Sequence, residues 1–344
     1  MATQKALLLM TEKGSFALGT RAVPTVAKGE LLVKVKAAAL NPVDWKIQKE
    51  GRAFLKEYPL VLGMDIAGDV VEIGEGARGF QTGDRVLLQG WFDSDYAGFQ
   101  QYAKVPADIT AKIPDSMSYS QAASVPQAFA TAAIGLFSTT SGASLNPNFD
   151  KSIQFEGQPA VVIGGATSVG QCVIQLLKFS GFSPIITYAS AHHTDLLKGL
   201  GATHIIDRKS VLIKSLPVEV ERVTKTSVKT IYDAVSSTET VEASYATLSE
   251  GGDLILVLPT ARVKSPVEGK KVHNVFGGVF TEATRPFGRV MYKKLEQFLE
   301  DGTVRPNRVE ELPNGLAGIT DGLERLRNNE VSGKKLVVLP QETP

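Results

Sequence analysis

The chain has 344 residues, 21% of them charged, and its 37 Lys and Arg against 36 Asp and Glu leave a net charge of +1. That length exceeds one ordinary domain and predicts two, while the charge balance leaves no general pull toward nucleic acid or an anionic membrane surface. A single cysteine, Cys172, excludes an internal disulfide, and no apolar run reaches the ~20 residues of a membrane span, so a cytoplasmic protein is expected.

The N-terminal "MATQKALLLMTEKG" has no small-residue cleavage site and reads as a first strand. "ELLVKVKAAAL" (30–40), "DIAGDVVEIGEG" (65–76), "GDRVLLQG" (83–90) and 97–114 continue as short strands punctuated by Gly and Pro, the texture of a barrel-like or folded sheet. Ser118 with Gln121 three residues on predicts a capping box before an alanine-rich helical stretch.

From residue 159 strands and helices alternate. "PAVVIGG", "PIITYAS", "THIID", "KTIYDAV" and "GDLILVL" read as strands; "SVGQCVIQLLKFSG", "TDLLKGLG" and "TETVEASYATL" read as helices. Segment 209–226 is interrupted by Pro217. Continuous apolar strands between amphipathic helices predict a doubly wound α/β domain whose parallel sheet is covered on both faces. Its binding crevice is expected at the carboxyl ends of the strands. The tail 285–344 holds two helices, a strand-like "TVRPNRVEEL" and a last strand "KKLVVLP"; it is expected to complete the first domain. The predicted domains are thus 1–125 with 285–344, and 126–284.

"VVIGGATSVG" (161–170) runs strand, glycine turn, helix, the order a dinucleotide site needs. The helix start offers unpaired N–H groups to a pyrophosphate. Gly165 is expected to make the tight turn and Gly170 to pack the helix on the sheet. Thr167 stands where the fingerprint has its second glycine, so its side chain either points away from the phosphate or donates to it. Ala166, Thr167, Ser168 and Val169 are the expected phosphate contacts. An NAD site would carry Asp or Glu about 20 residues beyond the glycines. This strand ends "TYASAHH", with Ser190, His192 and His193 and no carboxylate. Hydroxyl and imidazole groups suit a 2′-phosphate, which points to NADPH; an exposed turn is the alternative role for the two histidines.

The order of parts, with "VKVKAAALNPVDWKIQKEG", "YPLVLGMDIAGDVVEIGEG", "GDRV", "QAASVPQAFATA" and "SGKKLVV", resembles the medium-chain dehydrogenase/reductase superfamily over nearly the whole chain. The resemblance implies a β-rich GroES-like catalytic domain and a Rossmann domain. Zinc enzymes of the superfamily carry a cysteine where this chain has Pro42 and "GHE" where it has "GMD", Met64 and Asp65, and no four-cysteine lobe is possible here. No metal is therefore expected. "GGATSVG", "NPVDWK" and the segment 142–159 look most like the zinc-independent quinone oxidoreductases and, within them, the fungal ToxD-like trans-acting enoyl reductases.

That resemblance implies hydride transfer from NADPH to the β-carbon of an α,β-unsaturated carbonyl: an enone, an enal or an enoyl thioester, free or carrier-bound. A quinone or small aldehyde as acceptor, or a non-catalytic NADPH-binding partner of a larger synthase, remain as alternatives. By resemblance Val43, Asp44, Trp45 and Lys46 lie near the nicotinamide end, with Lys46 as the group that polarises the carbonyl or relays a proton. A surface lysine is the competing reading. Asp44 orients Lys46 or the ribose, or caps its own helical turn. Thr131 matches a position that contacts the carboxamide, or bonds within its own turn. Pro126, Gln127 and Phe129 are expected to line the substrate cleft. Arg208 replaces a common tyrosine and is expected at the adenine or the 2′-phosphate. Leu258 and Pro259 end the fifth strand under the nicotinamide. "NVFGGVF" (274–280) resembles the last Rossmann strand, with Phe276, Gly277 and Phe280 beside the substrate or in the core. Gly333 and Lys334 are placed where the tail meets the cofactor. Cys172 is expected in plain packing. A monomer and a homodimer both suit the architecture.

Overall fold

The computed structural model describes residues 2–55 and 57–344. They form two compact units: one holds the chain through Gln127 together with Tyr292–Glu300 and Pro306–Pro344, and the other holds Ala128–Met291 and Asp301–Arg305.

Unit one begins with β1 (Thr3–Leu9), β2 (Phe16–Ala22), β3 (Glu30–Ala39), α1 (Pro42–Glu50), β4 (Leu60–Val61), β5 (Asp65–Ile73), β6 (Arg85–Gln89), β7 (Tyr102–Pro106), β8 (Thr110–Lys112) and α2 (Tyr119–Ala123). α2 carries the expected box: the Ser118 hydroxyl accepts the Gln121 N–H at 3.2 Å and the Gln121 side chain accepts the Ser118 N–H at 3.0 Å. The chain enters unit two within α3 (Pro126–Phe137).

There follow β9 (Ala160–Ile163), α4 (Ser168–Phe179), β10 (Ile185–Ala189), α5 (Thr194–Leu200), β11 (His204–Asp207), α6 (Leu216–Val223), β12 (Thr230–Asp233), α7 (Thr238–Thr247), β13 (Asp253–Leu256), β14 (Lys271–Asn274) and α8 (Arg285–Glu300). β15 (Val309–Glu311), α9 (Ile319–Arg327) and β16 (Lys335–Val338) return to unit one.

In unit one β3 is the organising strand. It pairs antiparallel with β5, β7 and β16 inside a sheet ordered β15-β16-β3-β5-β6-β8, with β7 off that path. A separate three-stranded sheet runs β2-β1-β4. Leu31, Val33, Val35, Ile66, Val70, Val86, Leu88, Leu336 and Val338 fill the core between them. The β3–β5 register slips twice, between Leu32 and Val33 and between Val35 and Ala37, and there Gly68 lies against the Lys34 carbonyl. A side chain at Gly68 would overlap that backbone.

Unit two carries the doubly wound arrangement: six strands, all parallel, ordered β11-β10-β9-β12-β13-β14. β9, β10 and β12 are buried at every residue, as strands covered on both faces must be. Two segments differ from their sequence readings. Pro217 does not break 209–226; it stands in the first turn of α6, where its missing N–H costs nothing. The last strand is 271–274, so 274–280 begins where β14 ends, and Gly277 and Gly278 carry the chain onward as loop.

Replacing Gly68 by Ala is expected to cost about 1–3 kcal/mol of stability, read as a lower urea midpoint with an unchanged slope.

Candidate functional site

In unit two the candidate phosphate turn is built by three glycines with different duties. Gly164, not Gly165, has the left-handed backbone, φ +74°. Gly165 is small because a Cβ would overlap the Thr187 hydroxyl on β10, and Gly170 because one would overlap the Gly164 carbonyl. Thr167 is the N-cap of α4, its Oγ1 accepting the Gly170 N–H at 3.0 Å. The threonine at the odd position therefore satisfies the helix's own first turn while staying exposed, and Ala166, Ser168 and Val169 are half-exposed around it. With the Gly170 N–H taken by Thr167, the earlier N–H groups of α4 and the positive end of its dipole are what this turn could offer an anion.

Beyond β10 and β11 the structure joins two residues that the sequence separates by 18: Arg208 Nε donates to Ser190 Oγ at 2.6 Å. Arg208 is exposed, leaving its terminal nitrogens available to an anion. Next to them Asp207 accepts the N–H groups of Lys209 at 3.2 Å and Ala191 at 3.1 Å, which hold its carboxyl below the usual range. Sequence reading found no acid after β10; this one arrives from β11. His192 is exposed, and its ring centroid lies 3.8 Å from that of the buried His193.

Elsewhere in unit two Thr131 is buried, its carbonyl accepting from the Tyr232 hydroxyl at 2.8 Å. The Gly277 backbone lies so close that a Cβ there would overlap the Thr131 hydroxyl. Phe129, expected as a substrate wall, has no exposed surface and packs in the core; Phe276, at 42% exposure, is the open aromatic, with Phe280 half-buried. Leu258 and Pro259 lie two and three residues past β13, and the Leu258 carbonyl accepts from Asn274 Nδ2 at 2.9 Å.

In unit one α1 presents the "VDWK" segment. Val43, Trp45 and Lys46 are half-buried, and Lys46 Nζ lies 5.6 Å from the centroid of the Trp45 ring. Desolvation pulls the ammonium's pKa down, against Glu50, which raises it, and with Arg52, which lowers it. Asp44 is fully buried. Its Oδ2 accepts the Asn41 N–H at 2.8 Å, closing the first turn of α1, while Oδ1 makes no hydrogen bond. Burial raises the Asp44 pKa to about 7, only partly opposed by the Asn41 N–H and the Lys335 charge, and the Asp65 carboxylate adds to the rise.

In the tail the two adjacent lysines have different partners. Lys334 pairs with Glu310 at 2.5 Å on the surface, and Glu310, also held by Arg325 at 2.7 Å, has its pKa lowered to about 2, with the Arg325 bond the largest cause. The buried lysine is Lys335, which pairs with Asp65 at 2.8 Å and donates to Asn41 Oδ1 at 2.6 Å. Gly333 (φ +68°) makes the turn that leads into it. Asp65 Oδ1 accepts the Gln127 N–H at 2.6 Å, Gln127 Oε1 accepts from Gln89 Nε2 at 2.5 Å, and Pro126 is buried. Sequence reasoning missed Asn41, Asp65, Gln89 and Lys335. Their signal was polarity inside apolar strands and at strand ends, most visibly the acid that opens "DIAGDVV".

Comparison with known proteins identifies the family. Residues 27–115 match the alcohol dehydrogenase GroES-like domain and 168–273 the zinc-binding dehydrogenase family. The chain belongs to the medium-chain dehydrogenase/reductase superfamily, a family of oxidoreductases. Within it the chain is 30% identical to a trans-enoyl reductase of Gibberella fujikuroi, over 96% of this chain and 98% of the relative. It is 33% identical to dehydrogenase azaJ of Aspergillus niger, over 98% and 99%. An alcohol dehydrogenase superfamily protein of Novosphingobium aromaticivorans shares the fold at a TM-score of 0.81 and 24% identity, over 98% of this chain and 99% of that one. A mycobacterial protein solved with NADPH does so at 0.77 and 22%, over 98% and 100%. No helix among the described residues is long and apolar enough to cross a membrane.

Asp44 generates a pH prediction. Its folded pKa lies above the unfolded value of 3.8, so the native state binds the extra proton and loses stability as pH rises from about 4 to about 7. Asp44→Asn is expected to flatten that part of the profile, measured as urea unfolding free energy at pH 5 and pH 8.

Proposed function

We propose that the protein is an NADPH-dependent reductase of activated carbon–carbon double bonds, acting on α,β-unsaturated carbonyl compounds without zinc. The observation that carries the reading is the state of Lys46. It is a half-buried ammonium with a lowered pKa, on a helix whose first turn is pinned from beneath, in a chain whose full-length relatives include trans-enoyl reductases. Such a group can donate a hydrogen bond to a carbonyl oxygen as negative charge develops on it.

The residues fit NADPH. The α4 first turn with Thr167 and Ser168 suits the pyrophosphate, and the joined Ser190–Arg208 pair suits a 2′-phosphate. NADPH, when bound, supplies the hydride. What the chain adds is orientation of the cofactor, exclusion of water and a donor at the carbonyl oxygen.

The donor set does not fit zinc. Met64 is buried in the core, Asp65 is committed to Lys335 and Asn41, and Cys172 is buried on α4 of the other unit.

The test is NADPH consumption against a 2-enal, an aromatic enone, a 2-enoyl thioester and a quinone. Reduction of the enone or thioester supports the reading; reduction of the quinone alone overturns it. Lys46→Ala is expected to cut turnover at least tenfold with NADPH binding intact, and unchanged turnover removes Lys46 from the chemistry. Arg208→Ala is expected to weaken NADPH binding about tenfold or more while leaving NADH nearly unaffected, measured by fluorescence titration of both.

A further inference from the structure

Two stretches of unit one that carry candidate site residues, the start of α1 and the start of α3, hang on one carboxylate. Asp65 opens β5 and has no exposed surface. Its Oδ2 accepts from Asn41 Nδ2 and pairs with Lys335 Nζ, each at 2.8 Å, and its Oδ1 accepts the Gln127 N–H at 2.6 Å. Asn41 is the N-cap of α1: its N–H goes to Asp44 and its Oδ1 takes a second bond from Lys335 at 2.6 Å. Gln127 is fixed a second time, through its side chain, by Gln89 of β6, the residue that faces Asp65 across the β5–β6 ladder.

An ion pair serving stability alone needs only its two charges, and a buried pair adds little over apolar groups of the same size. Here each carboxylate oxygen is spent on a different segment. The lysine too reaches past its counter-ion to the cap of α1. That division of bonds sets geometry.

We propose that Asp65 is a positioning residue for the reaction, fixing the first turn of α1, with Trp45 and Lys46, through Asn41 and the start of α3 through the Gln127 N–H. The catalytic part of this inference rests on the reading of Lys46 given above; the positional part does not.

The experiment uses the full chain carrying Trp91→Phe, which leaves Trp45 as the only tryptophan. Into it go Asp65→Asn and Lys335→Met together, so that no buried charge is left unpaired, and an unchanged urea slope with a retained midpoint establishes folding. Trp45 emission and its quenching by acrylamide then report the pose of α1 without any substrate. The expected result is a shifted emission with increased quenching, together with at least a tenfold loss of turnover on the enone. Adding Lys46→Ala to this background is expected to cost less than threefold more, since the ammonium is already misplaced. Unchanged Trp45 signals, or a full further loss from Lys46→Ala, overturn the proposal. If the double variant fails to fold, Asn41→Ala keeps the ion pair, cuts the link to α1 and is read by the same signals. A parent protein that reduces nothing on the panel refutes the reductase reading, and the Trp45 signals still decide the positional claim.

Discussion

Distant segments of unit one meet at a buried opposite-charge pair, Asp65 with Lys335. Both charges lie out of water, where each alone would be costly, and they are tolerable only because they meet each other and Asn41 at hydrogen-bond distance. The consequence is topological as well as local. β16 can contribute Lys335 only by returning beside β3, so the pair ties the C-terminal strand to the segment between β3 and α1. Asp44, the neighbouring acid, lies in the same dry region without a cation of its own, which is why its proton is held to near neutral pH.

Unit two solves a different problem by shape. Its candidate phosphate turn has few side chains to offer an anion; what it has is backbone. Gly165 and Gly170 leave no room for a Cβ against Thr187 of β10 and the Gly164 carbonyl, and Gly164 takes the left-handed backbone that starts the turn. Thr167 keeps that turn intact as an N-cap where another family pattern uses glycine. At the next two strand ends Arg208 donates to Ser190, which joins β10 to β11 beside that turn.

The parallel sheet was legible in the sequence because strands buried on both faces show as uninterrupted apolar runs, as in "AVVI" and "IITYA". The α2 capping box was legible because it is a local pattern of two residues. What was not legible needed contacts across the chain. Lys334 and Lys335 are equal in the string "SGKKLVV", and only the start of β16 decides that one faces Glu310 in solvent and the other Asp65 in the interior. Likewise Asp65 in "GMD" reads as the lack of a metal ligand, because its partners lie 24 and 270 residues away in sequence. Pro217 was misread for a local reason: a proline breaks a helix in its interior and starts one at its first turn, and the boundary was unknown.

Asn41 and Lys335 are separated by 294 residues, and the whole of unit two is encoded between them. A ribosome therefore makes the carboxylate early and its counter-ion late. During synthesis β3, α1 and β5 exist with Asp65 unpaired, while the parallel sheet of the second unit, whose strands follow one another in short βα steps, has all its parts. Unit one needs residues from both sides of unit two in the sequence. The contacts that hold this part of unit one together are thus contacts of high sequence separation, the kind whose loop-closure entropy slows folding.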